Sequence, residues 1–425
     1  MHPDICPRQR EPRPVHTVFF AAALLACGSA QAQADPNTFI GASQAFTYQS
    51  NIFRTPDGQP ASSDTISSTG IVAGTDIALG RQRLHANANV RSNNFRDQDQ
   101  LDNVSYGLTT GLDWQTLHRL SGSLSYAANR NLASYASDIN LPRLNSKNIE
   151  ESRQFDATAR IGGTTRLSFE AGYQHRERRY SAPQFDPQEL KQSAVKVGAR
   201  YRPSAALTVG AGLRFTEGRF PLYRQGPGGI YVADKFQRRD VDLSATWTPS
   251  GRSALNARVS IGRQTHSEAR QNEFSGVTGA LAWTYQATGK LQVVTTLTRD
   301  TGAESQFFDA GNGIVGEYGT SRLATGVQVA ARYDATAKTR LQASVAHTHR
   351  SLNADISNPA VGATASQSGS DSTTKVSLGA RYVPTRNVAV DCGVAKEKRS
   401  TSTTLSYDYS AESANCAVQV QLDVR

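Results

Sequence analysis

The sequence predicts an all-β fold, a transmembrane antiparallel β-barrel of about 18 strands (16 if the segments at Phe274 or Leu291 are irregular), with short periplasmic turns and long extracellular loops. Three observations predict it. Apolar residues recur with a period of two, short and long connections alternate along the chain, and aromatic residues stand just before the short connections.

Composition narrows the class first. Of 425 residues only 38% are hydrophobic, and the chain holds 34 Gly, 15 Tyr, 15 Phe and one Met. That is too polar for a bundle of membrane helices, and past the N-terminal region there is no run of the roughly 18 apolar residues a spanning helix needs. An α/β enzyme fits no better, because after residue 35 no stretch keeps apolar residues at helical spacing over several turns.

Residues 1–34 read as a secretory signal. Arg8, Arg10 and Arg13 form its basic region, Val18 to Ala26 its apolar core, and Ala30-Gln31-Ala32 or Ala32-Gln33-Ala34 its cleavage site. A competing reading takes Leu24-Leu25-Ala26-Cys27 as a lipobox that would lipidate Cys27; the bulk of Leu25 and the site just downstream argue for conventional cleavage. The mature chain, 35–425, is then a single barrel in the outer membrane of a Gram-negative bacterium.

From Thr38 onward each short segment alternates. In the last one Cys416, Val418, Val420, Leu422 and Val424 share one face, and Ala417, Gln419, Gln421 and Asp423 the other. Leu84, Ala86, Ala88 and Val90 oppose Arg83, His85, Asn87, Asn89 and Arg91 in the same way. Strands are expected to begin near residues 38, 66, 83, 103, 119, 152, 166, 191, 206, 238, 253, 274, 291, 320, 339, 373, 387 and 413. Each needs about 9–11 residues to cross a bilayer when tilted.

The connections separate a barrel from a sandwich. Short turns near residues 81, 117, 163, 203, 250, 287, 336 and 385 alternate with long polar loops, which places all the long loops at one end. Trp114, Tyr201, Trp247, Trp283, Tyr333 and Tyr382 precede the short turns on the apolar parity, where an aromatic ring belongs at the headgroup level.

Assigning the polar parity to the lumen yields the candidate functional residues. The inward cations are Arg83, Arg91, Arg119, Arg160, Arg166, Arg176, Arg178, Lys196, Arg200, Arg214, Arg258, Arg322, Arg332, Arg340, Lys375 and Arg381. The inward acids are Asp76, Asp113, Asp156, Glu170, Asp240, Asp242, Asp391 and Asp423, so a basic surplus is expected, in line with the net charge of +10. Such a passage attracts anions and can hold carboxylates in bidentate fashion. Internal pairing across strands is the competing role for any single Arg.

Enzyme chemistry finds no compact motif. His85, His118, His175, His266, His347 and His349 are scattered, and His347-Thr348-His349 lies on the outward parity as a solvated strand end rather than a metal site. Gly226-Pro227-Gly228-Gly229 lacks the strand and helix that a phosphate loop needs. The reading is therefore a non-enzymatic barrel with no cofactor, no metal and no nucleic-acid partner. Cys392 and Cys416 lie at mirror positions about an outer loop centred near Leu405, both on the lipid-facing parity, so a cross-strand disulfide is expected in the oxidising periplasm. Two free thiols in lipid are the alternative.

The run Tyr48-Gln49-Ser50-Asn51-Ile52-Phe53-Arg54-Thr55-Pro56-Asp57-Gly58, then Ser63-Asp64-Thr65-Ile66-Ser67-Ser68, Gly80-Arg81-Gln82-Arg83-Leu84 and Gly111-Leu112-Asp113-Trp114, resembles the EpsL-like outer-membrane proteins associated with exosortase-type exopolysaccharide gene clusters. The resemblance implies a part in the biosynthesis or export of an extracellular polysaccharide, with periplasmic export or assembly proteins as partners. It also singles out Asn51, Phe53 and Arg54 at the outer mouth, where Arg54 either meets the polymer or clamps a loop. Two functions stay open: a conduit for an anionic polysaccharide, and a structural barrel or general porin whose charges only pair with one another.

Overall fold

Alternating apolar and polar side chains make each segment a strand with two unlike faces, and such strands are stable only when both faces find their own solvent. The computed structural model describes residues 38–117, 119–136, 145–163, 165–225, 229–301, 321–358 and 363–424. The expected leader with Cys27, His118 and residues 226–228 lie outside them, as does the side chain of Arg322.

Eighteen strands follow one another: β1 Thr38–Gln49, β2 Asp64–Leu79, β3 Gln82–Phe95, β4 Asn103–Gln115, β5 Leu120–Leu132, β6 Ile149–Ile161, β7 Leu167–Tyr180, β8 Leu190–Ser204, β9 Leu207–Gln225, β10 Tyr231–Ser250, β11 Ser253–His266, β12 Phe274–Gln286, β13 Leu291–Asp300, β14 Ser321–Asp334, β15 Thr339–Asn358, β16 Ala363–Thr385, β17 Val388–Thr401 and β18 Tyr409–Asp423. Each pairs antiparallel with its chain neighbour, and β1 pairs with β18 from Phe39 opposite Asp423 to Gln49 opposite Ser413, which closes the sheet.

The outer face is apolar. Ile40, Ile71, Val90, Leu213, Phe215, Val241, Ile261 and Leu378 all point outward and are exposed. A continuous apolar belt around a whole sheet is untenable in water, so the belt faces hydrocarbon and the strands span a membrane. Tyr201, Trp247, Trp283, Tyr333 and Tyr382 are outward and exposed at the short-turn rim, and Trp114 shares their parity. Eight connections at that rim take two to five residues each. Gly80 (φ 63°) and Gly162 (φ 81°) supply the left-handed backbone that two of these turns require.

Strand lengths depart from the expected bilayer crossing. They run from 10 to 23 residues, and β9, β10, β15 and β16 have 19, 20, 20 and 23. The ladders of β9–β10 and β15–β16 continue past the wall, so two of the expected long loops are hairpin extensions joined by residues 226–230 and 359–362. Sequence in those extensions reads as loop because their outward face turns polar, as at Lys235 and Arg239, while Phe236 and Leu352 are buried on the inward face.

Over the outer mouth, connections pack together. Ile52, Phe53, Phe95, Leu101 and Tyr135 form a small apolar core between the β1–β2, β3–β4 and β5–β6 connections, with Phe53 edge-on to Tyr135 at 5.1 Å. The Tyr135 hydroxyl donates to the Ser146 carbonyl (2.9 Å), and burial pushes its phenol up to about 12. Below, Cys392 stands directly opposite Cys416 and the two form a disulfide with Cα atoms 4.1 Å apart. Val390, Val394 and Val418 share its lipid-facing side. The intact mass of unreduced protein should be two hydrogens below that of the reduced chain. Cys392→Ser should lower stability by about 2–4 kcal/mol, the scale for a loop of this size, in urea unfolding from micelles.

Candidate functional site

With each strand's outward face fixed by the belt, the opposite parity lines the lumen, and it divides into two unlike sectors. On β6–β8 a single carboxylate serves three cations. Glu170 accepts from Arg160 (Nη2 to Oε2, 2.7 Å) and Arg200 (2.9 Å), with Lys196 Nζ at 3.4 Å. The side chains of Arg160 and Arg200 remain 37% and 38% exposed, so a solute in the lumen can reach them.

Further up the same wall, Arg176 and Arg178 project from β7 above Gly172. Neither makes an ion pair among the described residues. Arg178 donates to the Gln188 carbonyl (3.2 Å) and lies 5.7 Å from the Tyr180 ring centre. The Nε atoms of both guanidiniums are buried without a hydrogen-bond acceptor. The strip sets five cations against three lumen-facing carboxylates, Glu170, Asp156, which accepts from Gln154 (2.8 Å) and Gln174 (2.6 Å), and Glu150 near Arg176.

The β9–β12 sector is closed. Arg214 holds Asp242 in bidentate fashion (Nε and Nη2, both 3.1 Å) and approaches Asp240 at 3.4 Å. Ser260 donates to Asp242 (2.6 Å) and accepts from Arg258 (2.6 Å). Arg238 binds Asp240 (2.9 Å), Thr278 (3.0 Å) and Thr301 (2.6 Å). Arg214 and Arg238 are each 1% exposed, which makes them structural rather than solute-facing. Gly262 belongs to this network, because a Cβ there would sit 2.0 Å from Asp240 Oδ1.

A second closed group lies on β15–β17. Arg350 donates to Asp371 (2.8 Å), which also accepts from Ser406 (2.7 Å), and Arg399 stacks 4.7 Å from the Tyr409 ring and donates to the Ala136 carbonyl (3.4 Å). Nearer the short-turn rim, Asp334 takes Arg340 (2.7 Å) and Arg332 (3.4 Å), and Arg381 lies 3.6 Å from Asp391. On β2–β3 Arg83 pairs with Asp76, whereas Arg91 makes no ion pair among the described residues and lays its stem over Gly70.

These placements correct the expected surplus. Arg119 and Arg166 are exposed residues of the short turns, not lumen wall. Arg238, Arg350 and Arg399 join the lumen, but so do Asp64, Glu150, Asp234, Asp300, Asp334, Asp371 and Glu397. The added acids sit near strand ends that extend beyond the expected spans. Most of the surplus therefore vanishes from the lumen as a whole and persists on β6–β8. The mirror rule that pairs Cys392 with Cys416 would also have paired Arg350 with Asp371 across their hairpin.

The Asn51–Arg54 segment resolves into a loop clamp. Asn51 donates to the carbonyls of Thr55 (2.8 Å) and Ser410 (3.1 Å) and accepts from the Thr55 amide (2.7 Å). Arg54 adopts φ 51°, unusual for a residue with a side chain, and turns its guanidinium to Glu397 on β17 (3.3 Å). Tyr409 donates to the same oxygen at 2.7 Å, and Lys375 stands 4.0 Å from the other. Phe53 is in the mouth core.

Of the histidines, His347 and His349 face outward and bond Thr374 (2.9 Å) and Ser372 (3.0 Å). No group of three metal-ligating side chains occurs among the described residues. His266 meets Asp234 at 2.7 Å, with Gln264 on its other nitrogen (2.7 Å), a contact within the β10–β11 hairpin that mirror symmetry about the turn near residue 250 could have found. Asp234 also accepts from the amides of Glu268 and Ala269, so the pair ties down the β11–β12 connection.

No protein-family model matches the chain, and no curated protein matches it in sequence. Among solved structures it is similar to the outer membrane protein opdK from Pseudomonas aeruginosa, with a TM-score of 0.47 and 12% identity over 91% of this chain and 99% of that one. The FrpB iron transporter from Neisseria meningitidis gives a TM-score of 0.46 and 8% identity over 91% and 81%, and the siderophore receptor PirA from Acinetobacter baumannii 0.41 and 8% over 90% and 80%.

Two outcomes follow from the geometry. Asp242→Asn should destabilise the barrel by about 3–5 kcal/mol, because it strands buried guanidinium charge; urea unfolding in micelles reads this. Arg54→Ala and Glu397→Gln should each free the β1–β2 connection by about 2 kcal/mol, seen as faster proteolysis between residues 55 and 62 with the barrel core intact.

Proposed function

We propose that this chain is an outer-membrane barrel that passes anionic solutes along the β6–β8 wall, and that its cargo is an extracellular polysaccharide carrying carboxylates. The observation that carries the reading is the ladder of Arg160, Arg200, Lys196, Arg176 and Arg178, which rises along one wall with Glu170 as the carboxylate its lower three members share. Guanidinium groups spaced along a confined wall hand a polyanion from one to the next, since each offers a planar pair of donors and none binds with the depth of a closed site. The motifs from Tyr48 to Trp114 support the polysaccharide as cargo, and with it periplasmic export proteins as the suppliers.

A second reading, a general porin or structural barrel, is favoured by the near-balance of lumen charge and by the closed β9–β12 network. The two differ in ion preference. In a planar bilayer under a salt gradient the conduit should prefer chloride over potassium. Arg176→Gln/Arg178→Gln/Arg200→Gln should reduce that preference several-fold, and adding the secreted polymer should block the current. A barrel without ion preference, together with normal polymer secretion in a deletion strain, overturns the conduit.

A further inference from the structure

The lipid-facing surface ends in charge on the extracellular side, and the charge is distributed unevenly around the barrel. On β5–β7 the outward residues above the apolar band pair with one another: Arg130 with Glu151 at 3.5 Å and Arg179 with Glu177 at 2.7 Å. Lys191 at the start of β8 reaches back to Glu177 at 3.0 Å. Across β9–β11 this compensation stops.

Arg219, Lys235, Arg239 and Arg263 all point outward and are exposed, and none makes an ion pair among the described residues. Their register places like charges together. Arg219 stands directly opposite Lys191 on one side and Lys235 on the other, and Arg239 stands directly opposite Arg263. Directly opposed like charges destabilise a sheet. Glu217 is the one acid among them and already accepts from Gln237 (3.4 Å). A wall that repeats this juxtaposition in two rows is built to share an anion.

Position identifies the anion's source. Val241 and Ile261 lie immediately below Arg239 and Arg263 on the same faces, Phe215 stands level with Arg239, and Trp247 marks the opposite rim eight residues from Arg239. That spacing is about 26 Å along a strand, so the cations meet the headgroups of the outer leaflet. Within a row neighbouring strands lie about 4.8 Å apart, and four residues along β10, about 13 Å, separate Lys235 from Arg239, so the pair Arg219–Lys235 and the pair Arg239–Arg263 present two docking points. One phosphate fills one of them. A headgroup with two phosphates on a sugar backbone fills both.

We propose that the outward face of β9–β11 binds a phosphorylated glycolipid of the outer leaflet through its phosphates. The proposal requires the barrel's orientation in the outer membrane and is independent of the cargo in its lumen. The test is titration of the folded barrel in detergent with diphosphoryl lipid A, its monophosphoryl form, and phosphatidylglycerol, read by native mass spectrometry. Diphosphoryl lipid A should bind most tightly, and the Arg219→Gln/Lys235→Gln/Arg239→Gln/Arg263→Gln variant should lose about tenfold or more, the scale of one or more charge-assisted contacts. Arg130→Gln/Arg179→Gln, on the paired sector, should bind as the parent does. If the fourfold variant does not fold, Arg219→Gln/Lys235→Gln and Arg239→Gln/Arg263→Gln are each expected to lose several-fold. Undiminished binding in the fourfold variant or in both double variants overturns the site, and so does equal binding of phosphatidylglycerol and the diphosphorylated glycolipid.

Discussion

The pairing of β1 with β18 is the condition on which the rest of the molecule depends. An unpaired strand edge in hydrocarbon leaves a row of amides and carbonyls without partners, each costing several kcal/mol, on the order of a lost buried hydrogen bond. Closure removes both edges at once. It also divides the solvents, since every residue of one parity then faces lipid and every residue of the other faces an enclosed interior. Polar side chains have nowhere else to go, and the interior must balance its own charge.

That balance is achieved differently around the circumference. Along β9–β12 the arginines are surrounded by carboxylates and hydroxyls until almost nothing remains exposed, and Gly262 is spent on making room for Asp240. Packing of this kind stiffens a wall, because each guanidinium is fixed by several partners on different strands. Along β6–β8 Arg160 and Arg200 keep a third or more of their surface accessible and share Glu170 with Lys196. Identical chemistry thus serves as mortar on one side and as a wet surface on the other, and the difference lies in the neighbours that register supplies.

How much of this was legible in the sequence follows from which interactions are local. Alternation along Cys416–Val424 reports a difference of solvent across one strand, and that difference is visible without knowing any partner. Strand starts at Thr38, Ser253, Phe274, Leu291 and Thr339 were readable for the same reason, together with the aromatic rings before the short turns. Strand ends above the membrane were not, because there the outward face turns polar, as at Lys235 and Arg239, while the inward face buries charged and apolar side chains together, Asp234 with Phe236 and Arg350 with Leu352, which erases the alternation. Asp234 and Asp371 were lost with them, as was Glu397 far along β17, and with those acids the true charge balance of the lumen. Contacts within one hairpin, such as Cys392 with Cys416, can be found by mirror symmetry about a loop. The clamp of Arg54 on Glu397 joins residues 343 positions apart and obeys no local rule. Only closure brings β1 and β17 within two strands of each other.

The disulfide on the outer face carries a consequence for timing. Thiol–disulfide exchange needs a thiolate, and hydrocarbon excludes such an anion. Flanked by Val390, Val394 and Val418, the Cys392–Cys416 bond is beyond the reach of water-borne oxidants and reductants once the barrel is in the bilayer. The cross-link must therefore be made while the last hairpin is still in water, before insertion, and from insertion onward the membrane itself preserves it.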